Sequence, residues 1–143
     1  MSILQGTCDS FRQELLQGIH AFGTDTFKIA LYNASTASLQ PSTTVYSSTG
    51  EISPASGYTA GGQALAAVTV NLVPGIAFVT FSAPTWTMPS STGVDGALIY
   101  NSSKANRAVA VLNFGTTRYP SSIGLFVLQT PYDPINNAIV RLA

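Results

Sequence analysis

Apolar side chains recur with helical spacing near the start of the chain. They stand at positions 11, 15, 16, 19 and 22. This spacing places them on one face of a helix over residues 9–22. Asp9 or Ser10 can cap the first turn, Gln13 can complete a capping box with Ser10, and Gly23 can close the last turn. We predict one helix here and no other.

After Gly23 the apolar positions alternate with a period of two, which is typical of β-strands. Within residues 25–32, Phe27, Ile29 and Leu31 share one face. Clusters of Ser, Thr, Pro, Gly and Asn separate later apolar runs and read as turns. We predict further strands at 43–48, 64–73, 76–82, 96–101, 108–114, 124–129 and 138–142.

The clearest hairpin lies within residues 97–114, where two apolar runs flank a polar loop that contains Lys104 and Arg107. Several strands are apolar on both faces, so each face needs cover from a second layer or from a neighbouring subunit. Many short strands without alternating long helices favour an all-β fold. We predict an antiparallel β-sandwich of jelly-roll type with one N-terminal α-helix. A barrel is the alternative, because the sequence leaves the strand order open.

The length of 143 residues fits a single domain. We expect residues 1–8 to form an N-terminal arm, residues 9–22 the helix and residues 25–143 the sandwich. The sequence stops on an apolar strand without a polar tail. A strand of that kind favours docking against a partner.

Charged residues are rare, at 8% of the chain with a net charge of zero, against roughly 25% in an ordinary soluble domain. The basic residues are scattered, which argues against a nucleic-acid partner. Low net charge favours association with other protein surfaces. The single cysteine, Cys8, and the single histidine are too few for a structural zinc site, and we expect no cofactor. The sequence predicts no secretory signal and no membrane span, so we expect folding in a reducing cytoplasm.

Residues 56–65 (SGYTAGGQAL) place three glycines ahead of an apolar run, as a phosphate-binding loop does. A P-loop also needs a lysine and then a serine or threonine after its last glycine. Here Gln63 and Ala64 follow Gly62. We therefore expect Gly61 and Gly62 to supply a positive φ or a bulge where the chain enters a strand.

His20 is the only histidine, so a Ser-His-Asp or Cys-His site would have to use it. Its place at the edge of the helical apolar stripe is explained by packing. The acidic residues are well separated and form no pair typical of a glycosidase and no metal cage. We predict no catalytic residue and no enzymatic activity, with a hydrolase based on His20 as a third alternative.

Three segments, at 25–32, 57–65 and 96–115, resemble small virion structural proteins of tailed bacteriophages in sequence, order and spacing. The likeness covers residues 9–115. That family has Asp before its final Phe-Gly, whereas this chain has Asn113, a difference that concerns a local hydrogen bond or charge pair. The resemblance implies a non-enzymatic particle component on the head or the tail, and it carries over no catalytic or ligand-binding residue.

From the resemblance and the low charge we expect a capsid decoration or cement protein that binds the lattice of the major capsid protein and stabilises the head. We expect it on the capsid surface, assembled in the host cytoplasm. A homotrimer is implied by analogy with the local three-fold positions of such lattices. We expect neither a nucleic-acid nor a membrane partner. The expected contact segments are residues 1–8, the loop 104–107 and the last strand.

Aromatic residues in loop-like settings give a second interpretation. Trp86, close to two prolines, and Tyr119 and Tyr132 in predicted loops are the further expected contact residues beside Lys104 and Arg107. They could stack on sugar rings, which favours a tail or fibre component that binds a host receptor glycan. Alternatively, an aromatic beside prolines fills the end of the sandwich core.

Overall fold

Antiparallel β-sheet dominates the structure, and one helix of two turns precedes most of it. The computed structural model describes residues 1–129 and 134–143. Its strands are β1 (Gly6–Thr7), β2 (Phe27–Tyr32), β3 (Gln63–Ala64), β4 (Thr69–Val73), β5 (Ile76–Thr80), β6 (Thr85–Thr87), β7 (Val94–Asn101), β8 (Arg107–Arg118), β9 (Leu125–Val127) and β10 (Arg141–Leu142). Its helices are α1 (Asp9–Leu16), a 3₁₀ turn (Pro54–Ser56) and the short α2 (Pro134–Asn137). The prediction of a mainly-β chain with a helix near its N-terminus is confirmed.

The helix α1 is shorter than the predicted 9–22 because Gly18 closes it. Gly18 has a φ of +73°, and its N–H donates to the carbonyl of Leu15. The N–H of Ile19 donates to the carbonyl of Glu14. These two bonds form a Schellman motif, which ends a helix where a glycine takes the left-handed conformation. The expected closure at Gly23 is therefore wrong.

The start of the helix also differs from the prediction. Cys8 occupies the N-cap position, and its side chain makes no capping hydrogen bond. Asp9 lies inside the first turn, where it pairs with Arg12 and its charge suits the positive end of the helix dipole. The hydroxyl of Ser10 is buried and has no hydrogen-bond partner in the described chain. The predicted capping box of Ser10 and Gln13 is therefore wrong.

The larger sheet has five strands in the order β1-β8-β7-β2-β3. The predicted hairpin is its centre: β7 pairs antiparallel with β8, and Leu98 stands opposite Val111. Apolar cross-strand pairs of this kind stabilise a sheet. Nearly every residue of β2 and β7 is buried on both faces. The cover that these two-faced strands require comes from the chain itself.

Two layers supply that cover. The smaller sheet, in the order β10-β5-β4, lies against one face of the larger sheet. A narrow gap between them is lined from the larger sheet by Phe27, Ile99 and Val109, and from the other side by Val79 of β5 and by Val140, which directly precedes β10. The long connection over residues 33–62 covers the other face, where Tyr46 stacks on Tyr100 with ring centroids 4.7 Å apart.

The predicted strand at 64–73 is divided between the two sheets. Its first residue, Ala64, belongs to β3, which pairs with β2, and its last five belong to β4, which pairs with β5. Ala67 has a φ of +52° between them, a conformation that interrupts a strand. The chain therefore changes sheet within a continuous apolar run.

The predicted strand at 43–48 is wrong. Only Val45 forms a bridge there, to Arg107, because the segment follows the start of β8 through isolated backbone bonds and not through a ladder. The predictions at 124–129 and 138–142 are confirmed in shortened form as β9 and β10. Two strands were not predicted, β1 and β6, since segments of two and three residues are too short to show a period.

Candidate functional site

A groove with a volume of about 700 Å³ opens along the end of β8 and along β9. We call it the β8–β9 groove. It is formed by the chain after Asn113, mostly beyond the part that the phage resemblance covers. Its lining residues are Phe114, Arg118, Tyr119, Ser121, Leu125, Phe126, Val127, Leu128 and Gln129. An apolar concave surface with few polar groups is typical of a binding site.

Trp86 supports this groove from the inside. In the pair β6-β9 it stands opposite Phe126, and the two rings meet edge-on with centroids 6.0 Å apart. Trp86 is only 8% exposed. The expectation that its ring faces a partner is therefore corrected: it packs in the core, as an aromatic beside prolines does, and it positions Phe126, which lines the groove.

Tyr119 is a predicted contact residue whose ring is accessible, since it is 60% exposed. The ring lies over Gly93, where an added Cβ would come within 3.3 Å of a ring carbon. Ile123, in the loop before β9, is 82% exposed, and Leu125 is exposed as well. Tyr119 and Leu125 line the groove, and Ile123 lies in the turn between two lining residues, Ser121 and Leu125. Arg118 is the one charged residue in the lining.

The remaining predicted contact residues do not line this groove within the described chain. Tyr132 lies outside the described residues. Lys104 Nζ is 3.9 Å from Asp25 Oδ1, and Arg107 donates to Glu14 Oε1 at 2.7 Å. Both cations of the β7-β8 loop are therefore balanced by acidic side chains of the same chain. The side chains of Lys104 and Arg107 are still 42% and 43% exposed, so their contact with a partner stays a prediction.

A buried polar network joins α1 to the β7-β8 loop. His20 Nε2 lies 2.7 Å from Glu14 Oε2, and His20 Nδ1 lies 3.0 Å from the amide nitrogen of Asn101. The same amide donates to Asp25 Oδ2 at 2.8 Å. Asn101 is fully buried. The network holds the turn after α1 against the end of β7, and no local sequence pattern predicts it.

The bonds around Asn101 also fix the proton on His20. The backbone N–H of Ser103 donates to Asn101 Oδ1 at 3.0 Å, so the amide NH₂ must face His20 and Asp25. Because that group donates, His20 Nδ1 accepts and the ring proton is on Nε2, which donates to Glu14. Both ring nitrogens thus have partners that are neither hydroxyl nor thiol. This geometry gives His20 a structural role and not the base role of a Ser-His or Cys-His site.

The acidic members of this network predict a loss of stability in acid. Burial acts to raise the pKa of Glu14, but hydrogen bonds from His20 and Arg107 outweigh it and lower the pKa below the ordinary 4.5. The hydrogen bond from Asn101 lowers the pKa of Asp25 below 3.8. A lowered carboxyl pKa stabilises the fold above the ordinary value, and this stabilisation is lost as the pH falls through the folded-state pKa. The free energy of unfolding, measured by urea denaturation, should therefore fall as the pH drops below about 4.5.

Two variants separate this network from surface charge. Glu14→Gln should lower stability at neutral pH and flatten the acid dependence. Asp9→Asn, which breaks the exposed pair with Arg12, should leave the acid dependence in place. A wild-type protein whose stability is constant from neutral pH down to pH values well below the ordinary carboxyl range would contradict this assignment.

The glycine-rich loop binds a carboxylate of its own chain. The N–H of Gly61 donates to Glu51 Oε1 at 2.7 Å, Tyr58 donates to the same oxygen at 2.7 Å, and Tyr46 donates to Glu51 Oε2 at 2.6 Å. Burial, followed by the hydrogen bond to Glu51, raises the pKa of Tyr46, so its phenol stays a donor. The predicted positive φ is confirmed, at +85° for Gly61 and +73° for Gly62.

The N-terminal residues 1–8 are docked on the domain. β1 pairs with β8, and Ile3 and Cys8 are buried. Asn113 Nδ2 donates to the carbonyl of Ile3 at 2.8 Å, while its Oδ1 accepts from the N–H of Gly115. An aspartate cannot make the first bond at neutral pH, so Asn113 suits this docked segment. Residues 1–8 are therefore docked on their own chain, but Met1 and Leu4 are exposed, so a partner contact by this segment stays a prediction.

Reactive and metal-binding groups are few in the described chain. Burial raises the pKa of the Cys8 thiol to about 11, which makes it a poor nucleophile near neutral pH. Among residues 1–129 and 134–143, no group of three or more His, Cys, Asp or Glu side chains could hold a metal ion. In the same ranges no helix has the length and apolar character to cross a membrane. Comparisons of the chain with protein-family models, with curated proteins and with solved structures found no match.

Proposed function

We propose that this chain is a structural component of a bacteriophage virion, a decoration or cement protein that binds the major capsid lattice through the β8–β9 groove. The observation that carries the proposal is the apolar surface exposed at the groove. Tyr119 and Leu125 expose large apolar side chains in the lining of the groove, and Ile123 does so in the turn between the lining residues Ser121 and Leu125. Exposed apolar surface gathered in one place marks a protein contact.

The hydrogen bonds that acidic side chains accept within the chain support a binding role. Glu14, Asp25, Glu51 and Asp95 each accept hydrogen bonds within the chain. The surface left for a partner is therefore largely uncharged and rich in Ser, Thr and apolar residues. Burial of apolar area against a shell contributes about 25 cal/mol per Å² before the costs of ordering and desolvation are subtracted. Many copies on one lattice then add up to a stable layer.

The finer fold and the assembly are part of the same proposal. We propose that the sheets form a sandwich of jelly-roll type, which the facing apolar residues of the larger and smaller sheets support. We also propose a homotrimer at the local three-fold positions of the shell, by analogy with other lattice-bound proteins.

Rebinding to stripped capsids tests the function. Purified protein should bind expanded heads from which it has been removed and should raise their melting temperature in calorimetry. Ile123→Asp should weaken this binding at least about tenfold, because it places a charge in an apolar contact at a cost of more than about 1.4 kcal/mol. Leu16→Asp is the matched control, since Leu16 is 90% exposed at the end of α1 and away from the groove lining.

One observation favours a second function, a tail component that binds a host glycan. The ring of Tyr119, supported by Gly93 on one face, is a surface on which a sugar ring could stack. Binding of the protein to tails and not to heads, together with glycan binding that Tyr119→Ala removes, would reject the capsid proposal in favour of this one.

A further inference from the structure

The outer edge of β4 carries backbone groups that no described strand uses. β4 is an edge strand, and at five residues it is the longest edge strand of the described sheets. The N–H of Val79 donates to the carbonyl of Val140 beside β10, so it points away from Val70, which stands opposite it in β4. Bonded and non-bonded pairs alternate along an antiparallel ladder. Val70 and Leu72 therefore direct their own N–H and C=O groups outward.

The side chains at these positions are exposed too. Val70 is 58% and Leu72 81% exposed, and Leu142 is 57% exposed. Leu72 and Leu142 share a face, because both stand opposite Ala77. The strand Thr69–Val73 has no charge, no proline and no bulge, which are the usual protections of a free edge. An uncharged apolar edge of this kind favours pairing with another strand.

We propose that β4 pairs antiparallel with β4 of a second copy of this chain, across a two-fold axis at Asn71. Val70 then stands opposite Leu72 of the partner subunit, and Leu72 stands opposite the partner subunit's Val70. Both are outward-facing positions, so about four backbone hydrogen bonds join the copies. Their apolar side chains lie together on one face of the joined sheet.

The register of this pairing follows from the backbone. A shift by one residue would place the outward N–H and C=O groups of one copy opposite residues of the other copy whose N–H and C=O groups point inward. It would also move the apolar side chains of the two copies to opposite faces of the joined sheet. The strand is thus complementary to itself, as a two-fold interface requires. The pairing goes beyond the proposed function, because it joins two copies whether or not a shell is present and leaves the β8–β9 groove free. It is a two-fold contact separate from the three-fold contacts of the proposed trimer.

Disulfide trapping tests the register. In the proposed pair, the two copies of Asn71 form a non-bonded pair with Cα atoms about 4.5 Å apart, within the range that a disulfide spans. The full-length Asn71→Cys variant should therefore give a covalent dimer under mild oxidation, seen on a non-reducing gel. Cys8 is buried, so wild-type protein should give none.

Thr69→Cys is the matched control. The two copies of Thr69 would lie roughly 13 Å apart in this register, so this variant should crosslink less, by on the order of tenfold, because its thiols are not held together. Thr69 is exposed and Asn71 half-buried, so random collision would favour the control. Adding Leu72→Lys to Asn71→Cys should abolish the crosslink. Equal crosslinking of both cysteine variants would overturn the proposal.

Amide exchange in the wild-type protein gives a second measurement that needs no variant. In concentrated protein the N–H groups of Val70 and Leu72 should exchange more slowly than on dilution, while the amides of the groove residues Tyr119 and Leu125 should not change. Exchange at Val70 and Leu72 that does not depend on concentration, together with no Asn71→Cys dimer, would overturn the pairing. Neither result depends on capsid binding, so the two proposals fail separately.

Discussion

Replacing Gly62 with alanine is expected to destabilise the fold by at least about 4 kcal/mol or to prevent folding. The Cβ of the alanine would lie 1.8 Å from the carbonyl oxygen of Ile29, in the buried strand β2. Both groups belong to the backbone framework, so no change of rotamer relieves the contact. The positive φ of +73° adds strain of roughly 1–2 kcal/mol. Soluble yield and urea denaturation followed by circular dichroism measure the effect.

Gly75→Ala is the matched control for this variant. Gly75 also has a positive φ, of +83°, but nothing lies within 4 Å of an added Cβ. Gly75→Ala should therefore lower the free energy of unfolding only by the conformational strain, roughly 1–2 kcal/mol. The difference between the two variants isolates the collision with β2. Equal losses would mean that the glycine loop does not approach Ile29 and that its role is only to turn the chain.

Local patterns predicted the elements that are long and regular. The two apolar runs within residues 97–114, separated by a polar loop, predicted the central hairpin, because most of their apolar side chains pack into a core on the same chain. The end of α1 was missed for a related reason: Ile19 and Phe22 keep the helical spacing although the helix has ended. Phe22 reaches the core from a turn, where it stacks on Phe27 at 4.4 Å. An apolar side chain can meet the core without belonging to a helix.

The glycine motif shows how far a local pattern extends. The need for a positive φ at Gly61 and Gly62 was predictable, because few other residues adopt it. The partners of these glycines were not predictable. Gly62 lies against Ile29, and the N–H of Gly61 binds the carboxylate of Glu51. Those partners depend on how the connection over residues 33–62 folds over the larger sheet, and the residues next to the glycines do not predict that path.

The polar network could not be predicted because its residues are distant in sequence. The groove is lined by residues 114–129, but its shape depends on the pairing of β9 with the distant β6. Glu14 and Arg107 bond across 93 positions, and Asn101 and His20 across 81. Trp86 and Tyr119 were both predicted as contact residues, but Trp86 is buried and only Tyr119 is exposed. Which of them is exposed depends on the pairing of β6 with β9, and that pairing joins segments about 40 residues apart.

Replacing Asn101 with aspartate is expected to cost roughly 3 kcal/mol or more of stability. The substitution keeps the size of the side chain but turns the donor NH₂ into an acceptor. A carboxylate would then face Asp25 Oδ2 at the present 2.8 Å and His20 Nδ1 at 3.0 Å, with no donor between them. Asn101 has no exposed surface, so water cannot screen the repulsion. Urea denaturation at neutral pH measures the loss.

Asn106→Asp, in the same loop, is the control that carries the same change of charge. Asn106 is exposed and has a φ of +58°, which aspartate tolerates nearly as well as asparagine. The free energy of unfolding of Asn106→Asp should stay within about 0.5 kcal/mol of the wild-type value. The gap between Asn101→Asp and wild type should narrow in acid, because the introduced carboxyl then gains a proton and stops repelling Asp25. An Asn101→Asp protein as stable as Asn106→Asp at neutral pH would show that Asn101 does not hold the turn after α1 through a donated hydrogen bond. The deduction of the His20 tautomer would fall with it, since both depend on the same amide orientation.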